Sequence, residues 1–327
     1  MDQIKWGIIG CGNVTEVKSG PAFNRVANSA LVAVMRRDGA LAEDYARRHG
    51  VPKWYDDVDA LINDPEVNAI YIATPPDVHE EYTLKAMQAG KPVYVEKPMA
   101  RTGDECDRMN AASEATGVPL FVAYYRRSLG YFVKLKELID SGVIGDVRFV
   151  SICLQWQPYD EEVGENARPR WRVDPAISGG GHFHDLASHQ FDYLEYVFGP
   201  IKDARGISRN QAGLYEADDI VVANFEFESG ILGLGSWCYT VNKEQREDQA
   251  QIVGSKGRIH FSFFEKFDIK VETVAGTEVY HVPYAPHVQE ELIEQIVAEL
   301  RGEGKSPSNG VTGARANRIM DWITKGK

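Results

Sequence analysis

The chain reads as α/β followed by α+β: an N-terminal doubly wound parallel sheet, then a domain built on a large open, predominantly antiparallel sheet. Three observations predict this. Up to about residue 122, short apolar runs alternate with amphipathic helical stretches, the pattern of parallel strands joined by crossover helices. After about residue 145, longer strand patterns follow one another with few helices between, joined by hairpin-like turns at Glu228-Ser229-Gly230, Gly254-Ser255-Lys256-Gly257 and Ala275-Gly276. Finally, 327 residues exceed what one hydrophobic core usually organises.

Taken in order, strands are expected at Ile4–Ile9, Ala30–Met35, Ala69–Ala73, Pro92–Val95 and Leu120–Ala123, with helices near 14–27, 39–49, 57–62, 78–89 and 103–116. Gly90 and Gly117 fall at expected helix C-termini, each shortly before a proline. The helical pattern 131–141, with Gly142 and Gly145, joins the domains. Strand patterns Val147–Gln155, Ile220–Phe227, Ile231–Tyr239, Gln249–Val253, Arg258–Phe263, Phe267–Val271 and Glu278–Val282 make the second sheet. Helices near 287–301 and 312–325 close the chain, and the domains are drawn as 1–123 and 124–327.

Composition narrows the functions. A net charge of −12 opposes binding to nucleic acid or to an anionic membrane. No run approaches the roughly 18 apolar residues of a membrane helix, and the N-terminus, Met1 to Trp6, lacks a signal-peptide pattern. The four cysteines (Cys11, Cys106, Cys153, Cys238) are scattered and form no Cys-x-x-Cys pair. That argues against a zinc ribbon and for a reducing compartment, so a cytoplasmic protein is expected.

Gly10-Cys11-Gly12-Asn13-Val14-Thr15 follows the first strand and opens a helical stretch. Gly10 permits a tight turn, and Gly12 lets the backbone approach a pyrophosphate, so Gly10, Gly12, Asn13 and Val14 are candidate contacts of a dinucleotide in a Rossmann domain. Thr15 stands where Gly or Ala usually packs helix against strand. The second strand ends in Arg36-Arg37-Asp38. A carboxylate there would read the ribose of NAD, whereas arginines pair a 2′-phosphate, so NADP is preferred over NAD. Solvated loop charges are the competing reading, and Asp38 could still reach a ribose.

Two further strand ends face the same crevice, because ligands of such sheets bind outside the carboxyl ends of the strands. One carries Thr74-Pro75-Pro76-Asp77 with His79, the other Glu96-Lys97-Pro98. Thr74, Pro75, His79, Glu96 and Lys97 are therefore candidate cofactor residues, and Lys97 can also donate to a substrate hydroxyl. In the second domain, Gly179-Gly180-Gly181 leads into a helix bearing Asp185 and His189, four residues apart and so on one face. A carboxylate beside an imidazole suits a site that moves protons near neutral pH. A metal held by His184, Asp185 and His189 is not expected, since positions 184 and 185 point apart on a helix and no cysteine joins them.

These motifs, in this order, resemble the glucose–fructose oxidoreductase and inositol dehydrogenase (Gfo/Idh/MocA) family. The resemblance extends through Tyr124-Tyr125-Arg126-Arg127 and covers nearly the whole chain. It implies an NAD(P)-dependent enzyme acting on sugars, inositols or related polyols, with Lys97, Asp185 and His189 catalytic: Lys97 orienting the carbinol and nicotinamide, Asp185 binding a substrate hydroxyl, His189 shuttling the proton. It also implies dimers or tetramers through the open sheet. Tyr124, Trp171 and Arg172 are candidate substrate contacts; Trp171 in a packing gap is the alternative. His287 and Gln289 are weighed only as cleft residues. Two rival functions stay open, a sensor that binds NADP(H) without turnover and a redox-neutral enzyme with tightly held NAD.

Overall fold

The computed structural model describes residues 1–163 and 171–326. The chain begins with β1 (Ile4–Ile9), α1 (Asn13–Val17), α2 (Ala22–Arg25), β2 (Ser29–Met35), α3 (Gly39–His49) and β3 (Lys53–Tyr55). It continues with α4 (Val58–Ile62), β4 (Ala69–Ile72), α5 (His79–Gln88), β5 (Val93–Val95), α6 (Gly103–Thr116) and β6 (Leu120–Val122). Then come α7 (Gly130–Asp140), β7 (Val147–Gln155), α8 (Pro175–Ser178) and α9 (Gly181–Phe198). Strands β8 (Ile201–Arg209), β9 (Ile220–Phe227), β10 (Leu232–Cys238), β11 (Glu247–Gly254), β12 (Gly257–Phe261), β13 (Asp268–Thr273) and β14 (Gly276–His281) follow, before α10 (Glu290–Arg301) and α11 (Gly310–Lys325).

Packing divides the chain into two compact units, Met1–Leu129 with Ala285–Arg315, and Gly130–Tyr284 with Ala316–Lys327. Where one boundary after residue 123 was expected, the first unit runs six residues further, to Leu129, and regains a late segment containing α10. The reason is apolar: Leu292, Ile293, Ile296 and Val297 repeat at helical spacing and enter the same buried cluster as Trp6, Phe23 and Tyr71.

The first unit holds a six-stranded sheet in the order β3-β2-β1-β4-β5-β6. Every pairing in it is parallel. The central strands are buried on both faces, as β4 (Ala-Ile-Tyr-Ile) and β5 (Val-Tyr-Val) show. The order reverses between β1 and β4, which makes the carboxyl ends of those strands the switch-point crevice. Helices start where side chains cap them: Asp57 accepts from Ala60 N at 2.7 Å, and Thr102 accepts from Glu105 N at 3.2 Å.

Two differences from expectation arise here. The helix expected near 14–27 is broken into α1 and α2, because Pro21 lacks the N–H that would continue it. Strand β3 was not expected; it is a three-residue edge strand opened by a lysine, too short to show alternation.

The second unit carries an eight-stranded sheet, β14-β13-β12-β11-β7-β10-β9-β8. It is antiparallel except for the parallel pair β7–β10. The unforeseen β8, Ile-Lys-Asp-Ala-Arg-Gly-Ile-Ser-Arg, is a polar edge strand with an irregular burial pattern. Helix α9 covers one sheet face through aromatic rings. Phe183 meets Trp237 at 5.1 Å, and Phe191 meets Phe225 at 5.5 Å and Trp237 at 5.7 Å between centroids. Gly233 and Gly235 of β10 make room for this, since a Cβ on either would collide with the Phe225 or Trp237 ring.

Candidate active site

In the first unit the site begins at the turn after β1. Gly10 has φ +91°, and a Cβ there would lie 2.8 Å from Thr74 Cγ2 and 3.0 Å from the Ala73 carbonyl carbon. Only glycine brings this turn so close to the end of β4. Gly12 differs: nothing lies nearer than 3.8 Å to a Cβ built on it, so its outer side is open. Asn13 is exposed and Val14 half-buried beside it. Thr15, the departure from the usual small residue, is buried and donates from Oγ1 to Gly12 O at 2.8 Å, while Tyr45 Oη donates to Thr15 O at 2.9 Å. Its hydroxyl is thus consumed within its own turn. Burial pushes the Cys11 thiol up to about 11, with Arg36 opposing.

Thr74 and Pro75 stand half-buried at the end of β4. Thr74 Oγ1 is buried and has no hydrogen-bond partner among the described residues, an orphan at the mouth of the crevice. Together with the open side of Gly12, it fits a dinucleotide laid across the switch point. His79 is fully buried, and its Nε2 faces Thr74 O at 2.8 Å, its Nδ1 Pro98 O at 3.1 Å and Met99 O at 3.2 Å. Carbonyl oxygens only accept, so the neutral ring donates from one of these nitrogens, packed between the two strand-end loops. Burial lowers its pKa, against the pull of those carbonyls.

Glu96 ends β5, 6% exposed, and three donors reach its carboxylate. Tyr71 Oη donates to Oε1 at 2.6 Å, Gln289 Nε2 to Oε1 at 2.6 Å, and the Lys97 main-chain N–H to Oε2 at 3.1 Å. Charge-assisted bonds of about 1.5–3 kcal/mol each offset the several kcal/mol that burying a carboxylate costs. Tyr71 and Tyr94 are register partners on adjacent strands and stack at 4.9 Å; Tyr94 Oη in turn donates to Gln289 Oε1 at 2.7 Å. This chain fixes the backbone that carries Lys97, whose side chain is half-buried and whose bond to Pro98 is cis. Gln289, weighed from the sequence only as a cleft residue, is a positioning residue 193 positions from Glu96. The available signal was local: a tyrosine centred in each fully buried strand needs a polar partner.

Arg36 and Arg37, just past β2, are exposed, and among the described residues neither forms an ion pair. Asp38 caps α3, accepting from Leu41 N at 3.3 Å. Tyr124 is buried directly after β6.

In the second unit, Asp185 and His189 are buried one turn apart on α9, as their spacing predicts. Asp185 Oδ2 accepts from Arg172 Nε at 2.8 Å, and the Arg172 guanidinium lies 4.3 Å from the Trp171 ring centroid. That pair and the aromatic plane hold the carboxylate in one orientation. Phe264 meets the His189 ring edge-on at 6.3 Å. Arg168, Pro169 and Arg170, which precede Trp171, lie outside the described residues. His184 packs on Gly180, where any Cβ would collide with its ring, and burial lowers its pKa to about 4. No group of three or more His, Cys, Asp or Glu side chains suited to a metal is present among the described residues. Nor is any described helix long and apolar enough to cross a membrane.

The parallel sheet, its glycine turn and the strand-end crevice define a dinucleotide-binding chain of Rossmann type. Comparison with known proteins gives the family. Residues 4–124 match the oxidoreductase family with an NAD-binding Rossmann fold, and residues 132–260 match the GFO/IDH/MocA C-terminal domain. The chain belongs to the Gfo/Idh/MocA family of oxidoreductases. Oxidoreductase P35 of Formosa agariphila is 40% identical over 98% of both chains. Levoglucosan dehydrogenase of Pseudarthrobacter phenanthrenivorans is 28% identical over 83% of this chain and 76% of that one. Among solved structures, levoglucosan dehydrogenase in complex with NADH shares the fold with a TM-score of 0.87 at 22% identity, covering 98% of this chain and 96% of that one.

Proposed function

We propose that the chain is a nicotinamide-dependent dehydrogenase or reductase interconverting a secondary alcohol and a ketone of a sugar, inositol or related polyol, with NADP preferred over NAD. The observation that carries this reading is the buried Asp185–His189 pair, a carboxylate and an imidazole on one helical face, held by Arg172. Relatives named levoglucosan dehydrogenase and 1,5-anhydro-D-fructose reductase support a carbohydrate-like substrate.

In this reading Lys97 donates a hydrogen bond to the reacting carbinol oxygen. His189 takes the carbinol proton on oxidation and returns it on reduction. Asp185 accepts from a substrate hydroxyl, and Tyr124, Trp171 and Arg172 contact the remainder of the substrate. Nicotinamide, when bound, supplies the hydride acceptor or donor. Gly10, Gly12, Asn13 and Val14 receive its pyrophosphate, Thr74 and Pro75 border it, and Glu96 and His79 hold the loops in place.

Two unpaired arginines at the end of β2, with Asp38 spent on a helix cap, support pairing of a 2′-phosphate. A homodimer or homotetramer through the second sheet is part of the proposal. Its uncovered face exposes Ile207, Val222, Leu232 and Leu234, an apolar stripe that a second copy would bury. Four cysteines outside any disulfide support a reducing, cytoplasmic setting.

The test is a panel of sugars, inositols and their oxidised forms, read by nicotinamide absorbance with NADP(H) and NAD(H). Turnover of at least one member, faster with the phosphorylated cofactor, is expected. Cofactor binding without turnover of any member would favour a sensor, and cofactor reduced and reoxidised within one cycle would identify a redox-neutral enzyme.

A further inference from the structure

Three polar residues of α9 fall on one helical face: His182, Asp185 and His189 follow one another at spacings of three and four. At about 1.5 Å of rise per residue, this stripe runs about 10 Å along the helix. Each end meets a different ring. Phe264 faces His189 edge-on at 6.3 Å, and Tyr159 packs tilted on His182 at 5.5 Å between centroids. Between the two ends, Asp185 is held by Arg172.

His182 is occupied at its own end of the stripe. Its Nε2 lies 2.8 Å from Glu162 Oε2, and both side chains are buried. Tyr159 is different. It is half-buried, and its hydroxyl reaches solvent without a hydrogen-bond partner among the described residues. The same residue borders a cleft of about 370 Å³ with Gln157, Pro158, Val241 and Lys243, within the size class of small-ligand pockets.

Electrostatics join this phenol to the proposed substrate contacts. Burial raises the Tyr159 pKa, the charge of Asp185 raises it further, and that of Arg172 opposes. The phenol therefore keeps its proton at neutral pH and stands within reach of both charges. An accessible O–H with no protein partner is a donor open to one from outside the chain, and an oxygen of a substrate hydroxyl can accept from it. Position along the helix says which hydroxyl. Asp185 and His189, one turn apart, face the reacting end, whereas Tyr159 meets the helix a further turn away, at His182. A substrate laid along the stripe presents to Tyr159 a hydroxyl remote from its reacting carbon.

We infer that Tyr159 is a specificity-determining residue of the substrate site, its hydroxyl donating to a substrate hydroxyl remote from the reacting carbinol. The inference rests on the proposed action on sugars or polyols. It adds the residue that favours a polyhydroxy substrate over a simple secondary alcohol.

The test is steady-state turnover by the full chain at saturating nicotinamide cofactor. Its probes are D-glucose, D-galactose, myo-inositol and the other sugars and inositols of the panel, then the monodeoxy derivatives of the fastest one that are still turned over. Tyr159→Phe keeps the ring on His182 and removes only the oxygen. It is expected to raise KM for the parent compound about five- to tenfold, the scale of one neutral hydrogen bond, with kcat within about twofold. One monodeoxy derivative is expected to carry the same penalty with the unaltered protein and to lose nothing further with the variant. A KM that Tyr159→Phe leaves unmoved overturns the inference. So does a penalty that falls equally on every derivative, which is what a merely structural role would produce.

The melting temperature of the ligand-free chain guards against a folding artefact. It is expected to hold in Tyr159→Phe, because the lost hydroxyl bonds nothing among the described residues; a clear drop contradicts the assignment. Turnover of a panel member that Tyr159→Phe does not alter defeats this inference alone. No turnover of any member defeats the proposed reaction, and this inference with it.

Discussion

The two units hold their functional side chains by different means. In the first, Thr74, Glu96 and Lys97 sit at the ends of parallel strands, held by a turn only Gly10 can make and by the hydrogen bonds that Tyr71, Gln289 and the Lys97 N–H give to Glu96. In the second, Asp185 and His189 project from a helix whose position depends on aromatic rings lying over two glycines of β10. A helix-borne site is as rigid as the packing beneath it, and its damage should be read in stability as well as in turnover.

The largest expected effect on turnover lies in the first unit. Lys97→Ala removes the group proposed to donate to the reacting oxygen and should lower turnover by about a hundredfold or more, with unfolding unchanged. Near-normal rates would erase its catalytic role.

In the second unit, Phe191→Ala empties the contact between α9 and both Trp237 and Phe225. A loss of about 3–5 kcal/mol in urea-unfolding stability is expected. Turnover should fall too, because the face bearing His189 loses its support. A stable variant would show that the rings do not anchor the helix.

A smaller, cofactor-specific effect sharpens the contrast. Arg36→Asp should shift relative affinity from NADP toward NAD about tenfold or more, on the order of 1.4 kcal/mol, without touching stability. An unmoved ratio would show that the 2′-phosphate does not pair there.

The last effect concerns pH. His184 has its folded pKa lowered to about 4 by burial, whereas the unfolded chain titrates near 6.5. Its contribution is therefore fully present above pH 6.5 and is lost as pH falls toward 4, by on the order of a few kcal/mol. His184→Gln should flatten that stretch of a stability-versus-pH curve measured by denaturant. An unchanged slope would mean that other groups carry it.

The same contrast explains how much was legible in the sequence. Strands and helices of the first unit follow from periodicity and caps, and the Asp185–His189 pairing follows from a spacing of four. What escaped depends on contacts distant in sequence. Gln289 reaches Glu96 across 193 positions, and α10 joins the first unit because of an apolar face whose partner no local pattern names. Likewise the ion pair of Arg172 with Asp185 needs a loop conformation, and the approach of Tyr159 to His182 emerges only once every neighbour is in place.

The central claim is a division of labour: the first unit holds the dinucleotide, while Asp185 and His189 act on the substrate. Paired measurements on Asp185→Asn test it most directly, NADPH affinity by fluorescence titration and turnover of the best substrate in the panel. The account expects affinity within about twofold of the unaltered protein and turnover at least about thirtyfold lower. Lost NADPH binding with turnover preserved at saturating cofactor would contradict it.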